Sequence, residues 1–171
     1  TPASTTSAST TVTITQTTTL TANATDVTVP EVTVTRSDYN TFSWTASDNV
    51  GITGYAITTT NSVPTSWTTE GTLTSGTYDI SSAGTYYVWV KDAVGLTNSS
   101  SIAAYTVTRS QGTGSTLTTK YDSSSGTVFT SNTVVLSGTT VWASAAANTG
   151  YESIVLKRNN TEVTNPSAAT V

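Results

Sequence analysis

The side chains that could do chemistry in this chain are few and scattered. Among 171 residues there is no His, Cys or Met, and only ten acidic and six basic residues. An imidazole base, a thiol nucleophile and a soft metal ligand are therefore all missing. The acids stand singly, so a paired-carboxylate glycosidase has no motif to build on, and neither has Ser–Lys chemistry. Asp48, Asn49 and Asp92 sit at turns and offer the oxygens that calcium takes. Calcium needs about six to eight oxygens, and too few acids lie nearby in sequence to supply them. Asp and Asn in turns ordinarily bond their own backbone. The expectation is no metal, no cofactor and no enzyme.

Two further groups have suggestive types. Lys120, Glu152 and Asn165 are what a Lys–Asn amide crosslink promoted by a buried acid would use. Such a bond requires burial, whereas Lys120, beside Tyr121, is free to run its stem outward. The second group is aromatic. If Tyr86, Val88 and Val90 point inward along a strand, Tyr87, Trp89 and Lys91 point outward. Tyr87 and Trp89, with Trp67 from a nearby loop, then form a platform on which a sugar ring could stack. The competing reading has the Trp67 loop or a neighbouring domain cover the pair, the commoner fate of aromatics on a sandwich face.

The elements that must position these residues are strands. Thr and Ser make up close to two residues in five, and charged residues only 9 %, against about 25 % in ordinary soluble domains. Threonine is β-branched and suits a pleated surface with one wet face. Thr11-Val12-Thr13-Ile14-Thr15 shows the pattern, with threonine where other proteins place Lys or Glu. The net charge of −4 and the absence of a basic patch disfavour nucleic acid. No apolar run approaches the ~20 residues of a membrane span.

Residues 1–26 read as linker followed by the terminal strand or strands of a preceding repeat. Residues 27–108 carry a seven-strand pattern with turn signals every eight to twelve residues or so, as in a sandwich. Its markers are Val32/Val34, Phe42/Trp44/Ala46, Tyr55/Ile57, a short strand near Trp67, Tyr78/Ile80, Tyr86/Val88/Val90 and Tyr105/Val107. Parity places Trp44 in the core against Tyr55, Tyr86 and Val88. Residues 109–114 are a linker. Residues 115–171 give strands near Leu117–Tyr121, Val134–Leu136, Val141–Ala145 and Ile154–Lys157, with Asn159-Asn160 as a tight turn. This second region is small for an independent fold.

Two stretches carry a resemblance. Phe42-Ser43-Trp44-Thr45-Ala46-Ser47-Asp48-Asn49-Val50-Gly51-Ile52-Thr53-Gly54-Tyr55 resembles the second-to-third-strand passage of bacterial fibronectin type III and immunoglobulin-like modules. Gly84-Thr85-Tyr86-Tyr87-Val88-Trp89-Val90-Lys91-Asp92-Ala93-Val94-Gly95 is similar to the penultimate strand of bacterial surface Ig-like repeats, which commonly continue with Asn where this chain has Leu96. Val135-Leu136-Ser137-Gly138-Thr139-Thr140-Val141 and Ala145-Ala146-Ala147-Asn148-Thr149-Gly150-Tyr151 resemble internalin-type B-repeats, small β-grasp-like modules. That likeness implies a short helix near residues 128–133.

The resulting expectation is all-β: an Ig-like/fibronectin-like sandwich over 27–108 and a small, incomplete, partial B-repeat-like module over 115–171. The resemblance implies a non-catalytic spacer in a bacterial cell-surface stalk or adhesin, extracellular, cell-wall-bound or secreted. The alternative is a carbohydrate-binding module appended to a secreted glycan-degrading enzyme. Expected partners are neighbouring repeats, and a glycan or a host surface protein. The C-terminal module reads as lacking the closing strand that residues 12–24 supply to a preceding copy, implying a tandem array with a period of about 160 residues.

Overall fold

Alternation of apolar and hydroxyl side chains dominates this chain, and the computed structural model places that alternation on pleated sheets. It describes residues 16–17, 19, 21, 23–152 and 154–171. The fold is all-β, with thirteen strands and no helix among the described residues. Among the described residues no helix is long and apolar enough to cross a membrane. Val12, Ile14, Leu20 and Ala22, expected in the strands of a preceding repeat, lie outside the described residues.

The sandwich has two sheets. One contains β1 (Glu31–Arg36), β2 (Thr41–Ser47) and β4 (Ser75–Asp79), in the order β1-β2-β4. The other runs β3-β5-β6-β9, where β3 is Ile52–Thr58, β5 Gly84–Asp92, β6 Thr97–Val107 and β9 Thr133–Leu136. All pairings are antiparallel. Phe42 and Trp44 from β2 meet Tyr86, Val88 and Val90 from β5 in one core, with Ala104, Ile80 and Leu136. Trp44 is 2 % exposed, and its ring centroid lies 4.7 Å from that of Tyr55. Each such fully buried apolar side chain contributes roughly 1.5–3 kcal/mol.

Gly76 sits opposite Trp44 in the β2–β4 register, and a Cβ there would meet the indole Nε1 at 2.8 Å. The missing side chain therefore makes room for the tryptophan. The corner leading into β5 is tied by Tyr86, whose hydroxyl donates to the Ser82 carbonyl at 2.9 Å.

The strand expected near Trp67 is not formed. That segment contributes only an isolated bridge, Tyr55 to Thr68, because Pro64 and a run of exposed polar residues leave no alternating face to bury. The seventh strand of the sandwich is β9 instead. It follows the 109–114 segment in sequence yet hydrogen-bonds along β6, pairing Ala104 with Leu136 and Val107 with Thr133.

The remaining strands form a smaller sheet, β13-β10-β7-β8, and a hairpin, β11-β12. Their spans are β7 Ser115–Tyr121, β8 Val128–Phe129, β10 Thr140–Ala147, β11 Leu156–Arg158, β12 Thr161–Val163 and β13 Ser167–Thr170. The Asn159-Asn160 turn joins β11 to β12 with φ of 50° and 64°, the left-handed values such a hairpin requires. Two expectations fail here. The helix implied near residues 128–133 is absent, and Val128–Phe129 is a strand paired with Thr119 and Lys120. A closing strand is also present, since Ser167–Thr170 pairs with Thr140–Ala143. Its half-buried positions are Ser167 and Ala169, too small and weakly apolar to stand out as a strand in sequence.

β9 joins the two parts. Leu136 and Val135 are both 0 % exposed but point to opposite faces. Leu136 enters the sandwich core, while Val135 enters a second core with Tyr121 and Phe129. Tyr39, from the β1–β2 turn, stacks on Tyr121 at 3.8 Å between centroids with planes 5° apart. Arg36 reaches Asp122 at 3.3 Å. Arg109, in the intervening segment, donates to the carbonyls of Thr130 and Leu117. The segment is therefore hydrogen-bonded to the residues that follow it.

Candidate functional site

Two turns of the same design lie at the end of the sandwich where β1 begins. Asp48-Asn49-Val50-Gly51 links β2 to β3, and Asp92-Ala93-Val94-Gly95 links β5 to β6. In the first, Asp48 Oδ2 accepts the N–H of Val50 at 2.8 Å and of Gly51 at 3.2 Å. In the second, Asp92 Oδ1 accepts from Val94 at 2.9 Å, Gly95 at 2.6 Å and Leu96 at 2.8 Å. Gly51 and Gly95 adopt φ of 94° and 95°, a left-handed backbone in which a side chain is strained. Both turns thus bond their own backbone, as expected of Asp in turns, but each uses only one carboxylate oxygen to do so.

A third acid joins them. Asp26, in the segment before β1, accepts the Asn49 amide at 2.9 Å and the Thr28 N–H at 3.1 Å through Oδ1. The Asn49 amide, and then the Thr28 N–H, hold the Asp26 carboxyl below its usual value, so it is ionised at neutral pH. The segment is secured further along, where the Asn98 amide donates to the Pro30 carbonyl at 2.9 Å. One oxygen from each of Asp26, Asp48 and Asp92 lies within 4.8 Å of the others. Asp26 Oδ2, Asp48 Oδ1 and Asp92 Oδ2 are each buried without a hydrogen-bond donor. Asp92 is only 1 % exposed.

Sequence reasoning found Asp48, Asn49 and Asp92 but missed Asp26, which it placed at the end of the segment read as a preceding repeat's terminal strands. The signal was available: Asp26 is the sole acid in the first thirty residues.

The aromatic positions are arranged differently from an open platform. Tyr87 and Trp67 are half-buried, and Trp89 is 9 % exposed with its indole N–H buried and without an acceptor. Trp67 packs over Gly54, where a Cβ would meet Trp67 Cβ at 3.3 Å, and the Lys91 ammonium lies 5.1 Å from the Trp67 ring centre. Strand parity expects Trp89 on the face opposite Tyr86, Val88 and Val90, which pack in the sandwich core without it. It could not reveal the closure of that face.

Lys120, Glu152 and Asn165 are not brought together as a crosslink. The Lys120 ammonium donates to the Ser124 carbonyl and lies 5.5 Å from the Trp142 ring centre. The Asn165 amide bonds both the N–H and the carbonyl of Ala145. Lys120 pairs with Trp142 in the sheet, three positions from Ala145, or about 10 Å along the strand.

Between the small sheet and the β11–β12 hairpin lies a cleft of about 750 Å³, lined by Leu117, Val141, Leu156 and Val163 among others. It carries no convergent charged pair. Against protein-family models, curated proteins and solved structures alike, the chain has no match.

Proposed function

We propose that this chain is a non-catalytic spacer module of a bacterial cell-surface stalk or adhesin, its business being to transmit position and force along the molecule. The observation that carries this reading is β9, one strand whose alternate side chains fill two cores. A joint of this kind couples the two parts through cores packed on opposite faces of one shared strand, where a flexible linker would let the modules swivel. The Tyr39–Tyr121 stack and the Arg36–Asp122 pair brace it on the other side.

The Ig-like/fibronectin-like assignment draws support from the sheet order β1-β2-β4 facing β3-β5-β6. It draws more from the Tyr86 hydroxyl bonded to the Ser82 backbone, a corner tyrosine of the kind such sandwiches use. An extracellular setting agrees with a surface of threonine hydroxyls. The carbohydrate-binding alternative rests on Trp67, Tyr87 and Trp89, and the closure of Trp89 weighs against it.

Two measurements on the whole chain test the proposal. Pulled from its ends in single-molecule force spectroscopy, a spacer of this design gives one main unfolding event that includes both cores. On a glycan array it gives no saturable signal. Two independent unfolding events would remove the force-transmission argument. Glycan binding abolished by a Tyr87→Ala substitution would replace the spacer with the binding module.

A further inference from the structure

We infer that Asp26, Asp48 and Asp92 bind a single calcium ion, which fastens the segment before β1 to the end of the sandwich. The inference stands on the geometry of these carboxylates and holds whether or not the spacer reading does.

Three carboxyl groups each place an oxygen within 4.8 Å of the others. No basic side chain balances them: the ion pair recorded among the described residues, Arg36–Asp122, is at the far end of β1, and Lys91 lies over Trp67. The division of labour within each carboxylate is more telling than the clustering. Asp48 and Asp92 each commit one oxygen to turn N–H groups, Asp26 commits one to Thr28 and Asn49, and in all three the second oxygen is buried without a donor. An undonated buried carboxylate oxygen is among the costliest groups a protein can carry, and a cation is the partner that relieves it. Asp92 is the sharpest case, at 1 % exposure with Oδ2 undonated.

Ligand type and spacing select the ion. The donors are all oxygen, and the chain has no His or Cys to favour zinc. Oxygens on one calcium ion sit about 2.3–2.6 Å from it, so two of them can be at most about 5 Å apart. A spread of no more than 4.8 Å fits one such ion. Magnesium, at about 2.0–2.1 Å, demands a spread below roughly 4.2 Å and a regular octahedron. Carboxylates from two turns and one extended segment suit the flexible calcium shell, which water and backbone carbonyls complete. The site joins three segments remote in sequence, so the ion acts as a clasp on the incoming chain.

The test is calcium titration of the intact chain by calorimetry, with melting curves in calcium chloride and in EDTA. The expected result is one calcium per chain, with an affinity in or tighter than the ~10⁻⁴–10⁻³ M range of extracellular modules. Calcium should raise the melting temperature by several degrees and bind at least tenfold tighter than magnesium. Asp26→Asn, in a segment outside the strands, should keep the fold, weaken binding at least tenfold and remove the thermal shift. Asp92→Asn retains an acceptor for the turn N–H groups and should weaken binding as strongly. Absence of binding at 10 mM calcium, or wild-type affinity in folded Asp26→Asn, would overturn the site. Equal or tighter binding of magnesium would overturn the assignment of the ion.

Discussion

Replacing Leu136 with alanine should destabilise a sandwich to which, by sequence position, that residue does not belong. Leu136 is 0 % exposed and packs in the core with Phe42, Trp44 and Val88. The substitution removes three carbons, a transfer loss of roughly 2.4 kcal/mol at about 0.8 kcal/mol per methylene. The cavity left in a packed core brings the total to about 3–4 kcal/mol. The backbone should stay in place, because the Leu136 N–H bonds the Tyr39 carbonyl at 2.7 Å independently of the side chain. For a chain of this size about 1 kcal/mol corresponds to about 2–4 °C, so the melting temperature should fall by roughly 6–15 °C. Calorimetry gives the transition, and tryptophan fluorescence assigns it. Trp44, Trp67 and Trp89 report on the sandwich, while Trp142 lies in β10. Val135→Ala, on the opposite face of the same strand, should lower the same transition. Refutation would be a shift under about 2 °C for Leu136→Ala, or two separate transitions of which only the one reported by Trp142 moves.

Trp44→Ala should cost about 3–5 kcal/mol, read by chemical denaturation, because it empties the centre of the same core. Gly76→Ala should destabilise by about 1–3 kcal/mol in the same assay through overpacking, since its methyl group would meet the Trp44 indole at 2.8 Å. Trp44→Leu in the Gly76→Ala background should recover part of that loss. Burial, and then the neighbouring Tyr121, raise the Tyr39 phenol above the ordinary value of 10.0. The folded chain holds that proton more tightly than the unfolded chain, so the associated stability is complete below pH 10 and declines as pH rises through the folded value. Stability measured from pH 8 to 11 should fall less steeply at the alkaline end in Tyr39→Phe than in the wild type.

The parts of the fold legible in sequence are those governed by local period. Phe42, Trp44 and Ala46 alternate along β2 and face the core, because one side of that sheet is wet and the other packed. The Asn159-Asn160 turn was legible because few residues tolerate two consecutive positive φ values. Residues 134–136 also read as a strand, but their partner did not, since nothing local distinguishes pairing with β6 from pairing with β10. Closure over Trp89 and the approach of Asp26 to Asp92 are likewise long-range events. Periodicity reports which face a residue takes, and is silent about what arrives to cover it.

The position of β9 in the chain has a consequence for synthesis. A nascent polypeptide emerges with β1 to β6 first, and β7 and β8 must follow before β9 appears. At translation rates of about 5–20 residues per second, the outer edge of β6 therefore waits on the order of seconds without its partner. An uncovered strand edge is a template for pairing with the wrong chain. The β6 edge carries Thr97, Asn98 and Ser99 to Ser101 before its apolar stretch from Ile102. A ribosome pause shortly before residue 133 would lengthen that exposure, and fast elongation through residues 108–132 would favour correct folding.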